Sequence, residues 1–287
     1  MFNLIKFFFQ IFRSCYQASS IIKKINPDII LGMGGYISFP GGLVSILYKK
    51  PLLIHEQNRT MGLSNKILSK FSTRVMQAFP KTALNAETVG NPLRKKIMDL
   101  PNPMSRFKYR IGPLKILILG GSQGANILNI AFPKIAYTLK NKIIIWHQVG
   151  KNNIIKTLKN YKKFEIHPYK ITDFIKNMAE AYSWADMVVC RSGALTVSEI
   201  EYIGLPAIFI PFPHRNKHQY WNAYPLQLKG GAIIVEQNRL LTNKIIKILE
   251  KITRKKLIIM AKKIYSKHKN NPTKTITTII ENTNNIN

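Results

Sequence analysis

Short apolar runs bounded by glycine and proline alternate along this chain with longer stretches of helical period. Pro27–Leu31, Pro51–Ile54 and Arg74–Ala78 read as strands, with a helix through about Leu47 and another over Gly62–Phe71 between them. The pattern then resumes with strands at Lys115–Leu119, Lys142–His147, Glu165–Tyr169, Met187–Cys190, Ala207–Ile210 and Ala232–Val235. Helices fall between them: one reaching about Leu139, Ile154–Tyr161, one ending near Tyr182, and Ala194–Ile203 with Gly204 as its stop. A polar and aromatic loop, Phe212–Asn222, enters the next helix, and further helices run to about Lys269. Strands that alternate with helices predict parallel sheets covered on both faces, so the expected class is α/β with two domains.

The pattern fails between Leu100 and Pro113, where Pro-Asn-Pro and Arg-Phe-Lys-Tyr-Arg show no apolar period. That stretch is the expected linker. It separates a partial N-terminal domain, residues 1–99, from a C-terminal domain, 114–270, and the Asn- and Thr-rich tail 271–287 is expected to be helical at most in part. At the other end, Asn3, Lys6, Gln10 and Arg13 share one helical stripe, while Ile5, Phe8, Phe9, Phe12 and Tyr16 share the opposite one. Lys6 and Gln10 interrupt any uninterrupted apolar run, so the reading is an amphipathic helix and not a signal peptide. It serves either as a packing helix or as one lying in a membrane interface, aided by Lys6, Arg13, Lys23 and Lys24.

Charge changes the picture next. Forty-four Lys and Arg against 13 Asp and Glu give a formal net charge of +31, which suggests nucleic acid, an anionic membrane surface or a phosphate-bearing substrate. The lysines are scattered, as biased coding composition would also leave them, and no aromatic RNP string, KH loop or zinc-ligand spacing accompanies them. Nucleic acid is therefore not expected as a partner. No apolar run reaches the roughly 18 residues of a membrane span. Cys15 and Cys190 are distant and show no metal-ligand spacing, so neither a metal nor any other cofactor is expected.

The candidate chemistry sits in turns after strands. Arg191–Gly193 is a polar turn opening a helix, and amides of a first helical turn have no intrahelical acceptor, so a phosphate is stabilised there without a metal. Glu199, one turn further in, is placed to accept hydrogen bonds from vicinal hydroxyls, and pyrophosphate plus ribose is the implied ligand. A dinucleotide fold is the first alternative: Gly32-Met-Gly34 with Glu56 comes close, but Ile37 stands where the third glycine belongs. Gly120-Gly-Ser-Gln-Gly lacks a following acid, and neither turn has the Gly-Lys-Ser/Thr of a nucleotidase loop.

Six strings taken together are more specific. Gly-Met-Gly-Gly-Tyr (32–36), His-Glu-Gln-Asn (55–58), Gly-Asn-Pro-Leu-Arg (90–94), Gly-Gly-Ser-Gln-Gly-Ala (120–125), Arg-Ser-Gly-Ala-Leu-Thr-Val-Ser-Glu (191–199) and Gln-Tyr-Trp-Asn (219–222) follow one another in this order. In order and spacing they closely resemble the MurG family, glycosyltransferase family 28. These enzymes move N-acetylglucosamine from UDP-N-acetylglucosamine onto undecaprenyl-pyrophosphoryl-N-acetylmuramoyl-pentapeptide, the step from lipid I to lipid II in peptidoglycan synthesis. The resemblance covers about Pro27 to Lys269.

It implies two Rossmann-like domains of the glycosyltransferase-B type, with the first N-terminally truncated. It further implies an inverting hexosyltransferase without cofactor, peripheral at the cytoplasmic face of the inner membrane. Carried over residue by residue, Ile175 offers its backbone to uracil, while Ala194, Leu195, Thr196, Val197 and Ser198 cradle pyrophosphate. Glu199 takes the ribose, Ser122 and Arg94 face phosphate, and Gln219 and Asn58 address the sugar. His218 stands where the family has a second Gln. The family's usual candidate base is a His in a further glycine-rich unit before the first string, which this chain does not contain; its catalytic residue is therefore unassigned, with His55 and Glu56 the nearest replacements. The expectation is a truncated chain, or a relative that binds the sugar nucleotide without turnover, whose first domain is less stable than its second.

Overall fold

A computed structural model describes residues 2–266 and 271–284; the side chains of residues 2–5, 7, 8 and 284 lie outside that description. The chain forms two compact units, Met1–Pro92 with Asn270–Asn287, and Leu93–Lys269.

The first unit comprises α1 (Phe2–Ile25), β1 (Ile30–Gly32), α2 (Ser38–Leu47), β2 (Leu52–Glu56), α3 (Leu63–Leu68), β3 (Arg74–Gln77) and β4 (Glu87–Thr88). The strands pair in parallel in the order β1-β2-β3-β4. Successive side chains of a strand point to opposite faces. Leu53 accordingly packs with Met76 and Val89 on one face, and Leu52 and Ile54 pack with Leu68 and Phe39 on the other.

The second unit comprises α4 (Lys95–Met98), α5 (Pro103–Phe107), β5 (Leu114–Leu119), α6 (Asn126–Thr138), β6 (Ile143–Gln148), α7 (Ile154–Lys162), β7 (Lys170–Thr172) and α8 (Met178–Trp184). It continues with β8 (Met187–Cys190), α9 (Ala194–Ile203), β9 (Ala207–Phe209), α10 (His218–Leu228), β10 (Ala232–Ile234), α11 (Leu241–Glu250) and α12 (Arg254–Ile264). Its sheet is parallel in the order β10-β9-β8-β5-β6-β7. The order reverses at β5, so the carboxyl ends of β5 and β8 lie side by side, the place where open α/β sheets form a ligand crevice.

Three sequence expectations differ from this structure. Residues 100–113 are no linker: the chain passes between units at Pro92 and near Asn270, and α5 belongs to the second unit. There Asn102 caps α5 by accepting from the Ser105 amide at 2.9 Å, and Phe107 enters the core. The lack of apolar period arises because this stretch packs through cations. Buried Arg106 donates to the carbonyls of Tyr182, Ile203 and Gly204, and Arg110 pairs with fully buried Asp186 at 2.5 Å. Asp186 also receives Arg254 at 3.1 Å and the Lys115 amide at 2.9 Å.

Nor does the end of the chain stand apart as a tail: it belongs to the first unit. Helix α13 (Pro272–Asn284) lays Ile276, Ile279 and Ile280 against Leu53 and Met76, supplying the second layer of the first unit. That spacing is one helical stripe, hidden in the sequence by its Asn and Thr neighbours. Finally, the strand expected at Glu165–Tyr169 forms at Lys170–Thr172, because Glu165 takes the left-handed region (φ 53°) and interrupts extension.

Helix α1 runs well beyond Tyr16 and packs on α2, with the Ser19 and Tyr48 hydroxyls 2.7 Å apart. The expected roles of Asn3, Ile5 and Phe8 lie outside the described side chains. Phe9, Phe12 and Tyr16 are 66, 72 and 72% exposed.

Candidate functional site

The site is built from the turns that follow β5 and β8. After β5 the chain folds back on itself so tightly that a Cβ on Gly120 would stand 2.6 Å from the Ala125 nitrogen. Gly121 and Gly124 both take φ near 80° (80° and 78°), a conformation costly for any residue with a Cβ. After β8, Gly193 caps α9, and the first intrahelical bond runs from the Val197 amide to the Gly193 carbonyl at 3.0 Å. The amides of Ala194, Leu195 and Thr196 precede that bond and carry the positive end of the helix dipole. Such a helix end is an anion site by construction. Gly204, left-handed at φ 61°, terminates the helix as the sequence indicates.

A cavity of about 330 Å³ opens onto these turns. Of the residues expected there, it is lined by Arg94, Ser122, Ile175, Thr196, Glu199 and Gln219. Ala194, Leu195, Val197 and Ser198 do not line it; Val197 is fully buried on the core side and its amide is committed within the helix. Of these four, Ala194 and Leu195 carry main-chain amides that precede the first intrahelical bond.

Glu199 is buried and held by two donors. Its Oε1 accepts from Arg94 Nε and Nη2 at 3.2 and 2.8 Å, and its Oε2 accepts from the Tyr182 hydroxyl at 2.9 Å. Burial, reinforced by the Glu199 charge, raises the Tyr182 phenol well above its ordinary value, so it remains a donor. Burial also pushes the Cys190 thiol up, leaving it unreactive as a nucleophile. Arg94 thus lies against a carboxylate, where the resemblance implied only phosphate.

Gln219 Oε1 accepts from the amides of Phe212 and Ser192 at 2.9 and 3.3 Å, fixing the turn after β8 to the loop after β9. Arg191 braces the same loop, donating to the carbonyls of Ile210 and Pro211 and to Gln237 Oε1.

In the first unit, Glu56 is consumed by its own loop. It accepts from the Asn58 amide and Nδ2 through Oε1, at 2.9 and 3.2 Å, and from the Gly62 amide and Asn65 Nδ2 through Oε2, at 3.1 and 2.8 Å. His55 is fully buried, bonded through Nε2 to the Gly90 carbonyl at 2.9 Å, and its burial lowers the imidazole's proton affinity. Neither side chain is offered to solvent as a replacement base; both hold Asn58's loop and the Gly90 turn in shape.

Sequence reasoning missed Tyr182 and Gln148, which also line the cavity. Gln148 carried one signal, a polar residue closing an apolar strand; Tyr182 carried none, because its partner Glu199 lies 17 positions along the chain and is brought to it only by folding.

Two family models match the chain: the glycosyltransferase family 28 N-terminal domain over residues 1–77, and the glycosyltransferase family 28 C-terminal domain over residues 115–280. Among curated proteins it is similar to the UDP-N-acetylglucosamine–N-acetylmuramyl-(pentapeptide) pyrophosphoryl-undecaprenol N-acetylglucosamine transferase of Buchnera aphidicola subsp. Baizongia pistaciae. The two are 58% identical over 98% of this chain and 81% of that protein. The protein of the same name from Blochmanniella pennsylvanica is 48% identical over 92% of this chain and 75% of its own length. Among solved structures, Acinetobacter baumannii MurG superposes with a TM-score of 0.80 at 34% identity, covering 96% of this chain and 79% of that one.

Proposed function

The chain belongs to glycosyltransferase family 28, and on that premise we propose that it transfers N-acetylglucosamine from UDP-N-acetylglucosamine to undecaprenyl-pyrophosphoryl-N-acetylmuramoyl-pentapeptide. Lipid I becomes lipid II, a step of peptidoglycan synthesis, and through it of wall growth, cell shape and division. The observation that carries this reading is the cavity at the β5/β8 switch point, with a phosphate turn on one side, a helix N-terminus on the other and Glu199 between them.

In this reading the first-turn amides of α9, Arg94 and Ser122 address the diphosphate, Glu199 the ribose, Ile175 the uracil, and Gln219 the sugar. The acceptor hydroxyl gives its proton to a general base as its oxygen forms a bond to the anomeric carbon from the face opposite UDP, whose bond to that carbon breaks. Negative charge then grows on the departing diphosphate. Amide dipoles and a guanidinium already fixed there stabilise it more in the transition state than in the ground state.

The acceptor is a lipid, and the first unit carries a surface suited to one. Phe9, Phe12 and Tyr16 form an exposed apolar stripe on α1, with Lys6, Arg13, Lys23 and Lys24 also exposed. An apolar stripe with cations beside it favours the interface of an anionic membrane, which supports a peripheral position at the cytoplasmic face of the plasma membrane. No described helix is long and apolar enough to cross a membrane.

The test is transfer of labelled N-acetylglucosamine to the lipid acceptor in micelles. A labelled disaccharide lipid formed with one UDP released per transfer is expected; UDP-sugar binding without transfer would replace the enzyme by a binding-only relative. In the same assay Glu199→Ala weakens UDP binding about tenfold, one lost pair of charge-assisted hydrogen bonds. Unchanged UDP affinity would remove Glu199 from the donor site.

A further inference from the structure

Two loops of the second unit address different parts of the proposed donor: the turn Gly120–Gly124, facing phosphate, and Asp173–Ile175, facing uracil. Between them stands Gln148, the last residue of β6, 4% exposed and lining the cavity. Its side-chain Oε1 accepts from the Gly121 amide at 3.0 Å. Its Nε2 donates to the Gly121 carbonyl at 2.8 Å and to the Asp173 carbonyl at 2.8 Å. Both of its N–H groups are thus used, one on each loop.

The main chain repeats the connection. The Gly120 amide donates to the Gln148 carbonyl at 3.1 Å, the Val149 amide to Thr172 at 2.8 Å, the Gly150 amide to Asp173 at 3.1 Å, and the Lys151 amide to Ser122 at 3.3 Å. Contact is close enough that a Cβ on Gly150 would fall 2.2 Å from the Gly124 nitrogen. From α6, Asn129 Nδ2 braces the Val149 carbonyl at 3.0 Å.

We infer that Gln148 is a positioning residue for the donor, setting the spacing between the phosphate turn and the uracil loop so that one ligand spans both. The inference rests on the donor reading given above. A neutral primary amide is the side chain this requires, since it alone offers two donors and an acceptor without charge. Glutamate lacks the donors, and methionine, of similar length and volume, lacks both donors and acceptor. Glycine turns tolerate many spacings by themselves; a buried amide bonded to both turns selects one.

The experiment compares wild-type protein with Gln148→Met and Gln148→Asn, measuring affinity for UDP, which reaches both loops, and for uridine, which reaches one. Gln148→Met is expected to lower UDP affinity about tenfold or more while uridine affinity falls by a smaller factor, since polar groups left unpartnered loosen the spacing. With UDP-N-acetylglucosamine, KM rises and kcat changes little, the pattern of lost ground-state and transition-state binding in equal measure. Gln148→Asn, which keeps the amide on a shorter stem, is expected to fall between the two, and gives the same comparison if the methionine variant fails to fold. Equal losses for UDP and uridine, or a methionine variant that binds UDP as the wild type does, overturns the inference alone. A wild-type protein without affinity for UDP overturns the donor reading, and the inference with it.

Discussion

The two units are variations on one architecture that differ in how their glycine-rich turns are held. In the first, Gly34 and Gly35 take φ 86° and 78°, and a Cβ on Gly35 would meet nothing within 4 Å. In the second, Gly124 and Gly150 are left-handed, and Gly150 is also pressed against the backbone of Gly124 and Gly124 against the Val149 carbonyl. At Gly35 the first turn needs glycine for its dihedral angles alone, and at Gly34 an added Cβ would press only on the Asn65 side-chain amide at 3.1 Å; at Gly124 and Gly150 the second needs it for dihedral angles and for space against backbone. Their cores differ in the same sense. The cluster on one face of the second unit's sheet runs from Phe107 to Ala261, whereas the clusters on the two faces of the first unit's sheet are small. A string of glycines therefore marks a turn after a strand without revealing whether the turn is open or clasped.

The largest test of this contrast is Asp186→Ala. The substitution leaves Arg110 and Arg254 facing an empty buried position, and breaking a buried pair from one side costs about 3–5 kcal/mol. Urea unfolding should show that loss in the second unit's transition; a change below about 1 kcal/mol would place this cluster with ordinary surface pairs. Next is Ile276→Ala, which opens the α13 contact with Leu53 and Met76 at a cost of about 2–4 kcal/mol. Proteolysis of the first unit should accelerate while UDP binding by the second persists, and a parallel loss of both would end the separation between the units.

A further effect follows pH. Burial depresses His147 in the folded state to about 3, against about 6.5 when unfolded. Between those values the unfolded chain binds the extra proton. The contribution is therefore fully present above about pH 6.5 and is lost as pH falls toward about 3, by up to about 1.4 kcal/mol per pH unit. His147→Phe should flatten the acid limb of unfolding midpoint against pH. If His55→Phe flattens it more, the first unit sets the limb, since burial shifts His55 in the same direction. The smallest effect is expected for Phe12→Ser: about 1 kcal/mol, roughly a fivefold drop in partitioning to anionic vesicles, read by sedimentation. Unaltered partitioning would remove α1 from the membrane contact.

Periodicity made the strands and helices around the site legible, because buried parallel strands are apolar on both faces and their ends carry glycine. Arg191–Glu199 was readable for that reason: strand, turn, helix and stop all follow local rules. The linker was misread since Arg106 and Arg110 pack by satisfying carbonyls and a buried acid, which leaves no apolar stripe. The pairing of Glu199 with Arg94 and Tyr182 joins residues 105 and 17 positions away in the chain, and no local pattern announces it. His55 and Glu56 looked like chemistry because acids and imidazoles after strands often are; only their burial and partners identify them as supports.

The position of α13 has a consequence for synthesis. Chains emerge from the ribosome from their amino end, and domains generally fold as they appear. The residues of the second unit are contiguous and are complete before α13 is made, whereas the sheet face of Leu53 and Met76 waits for it. The part of this protein that is translated first is therefore the part that is finished last, and its apolar face stays uncovered by α13 for as long as the other unit takes to be built.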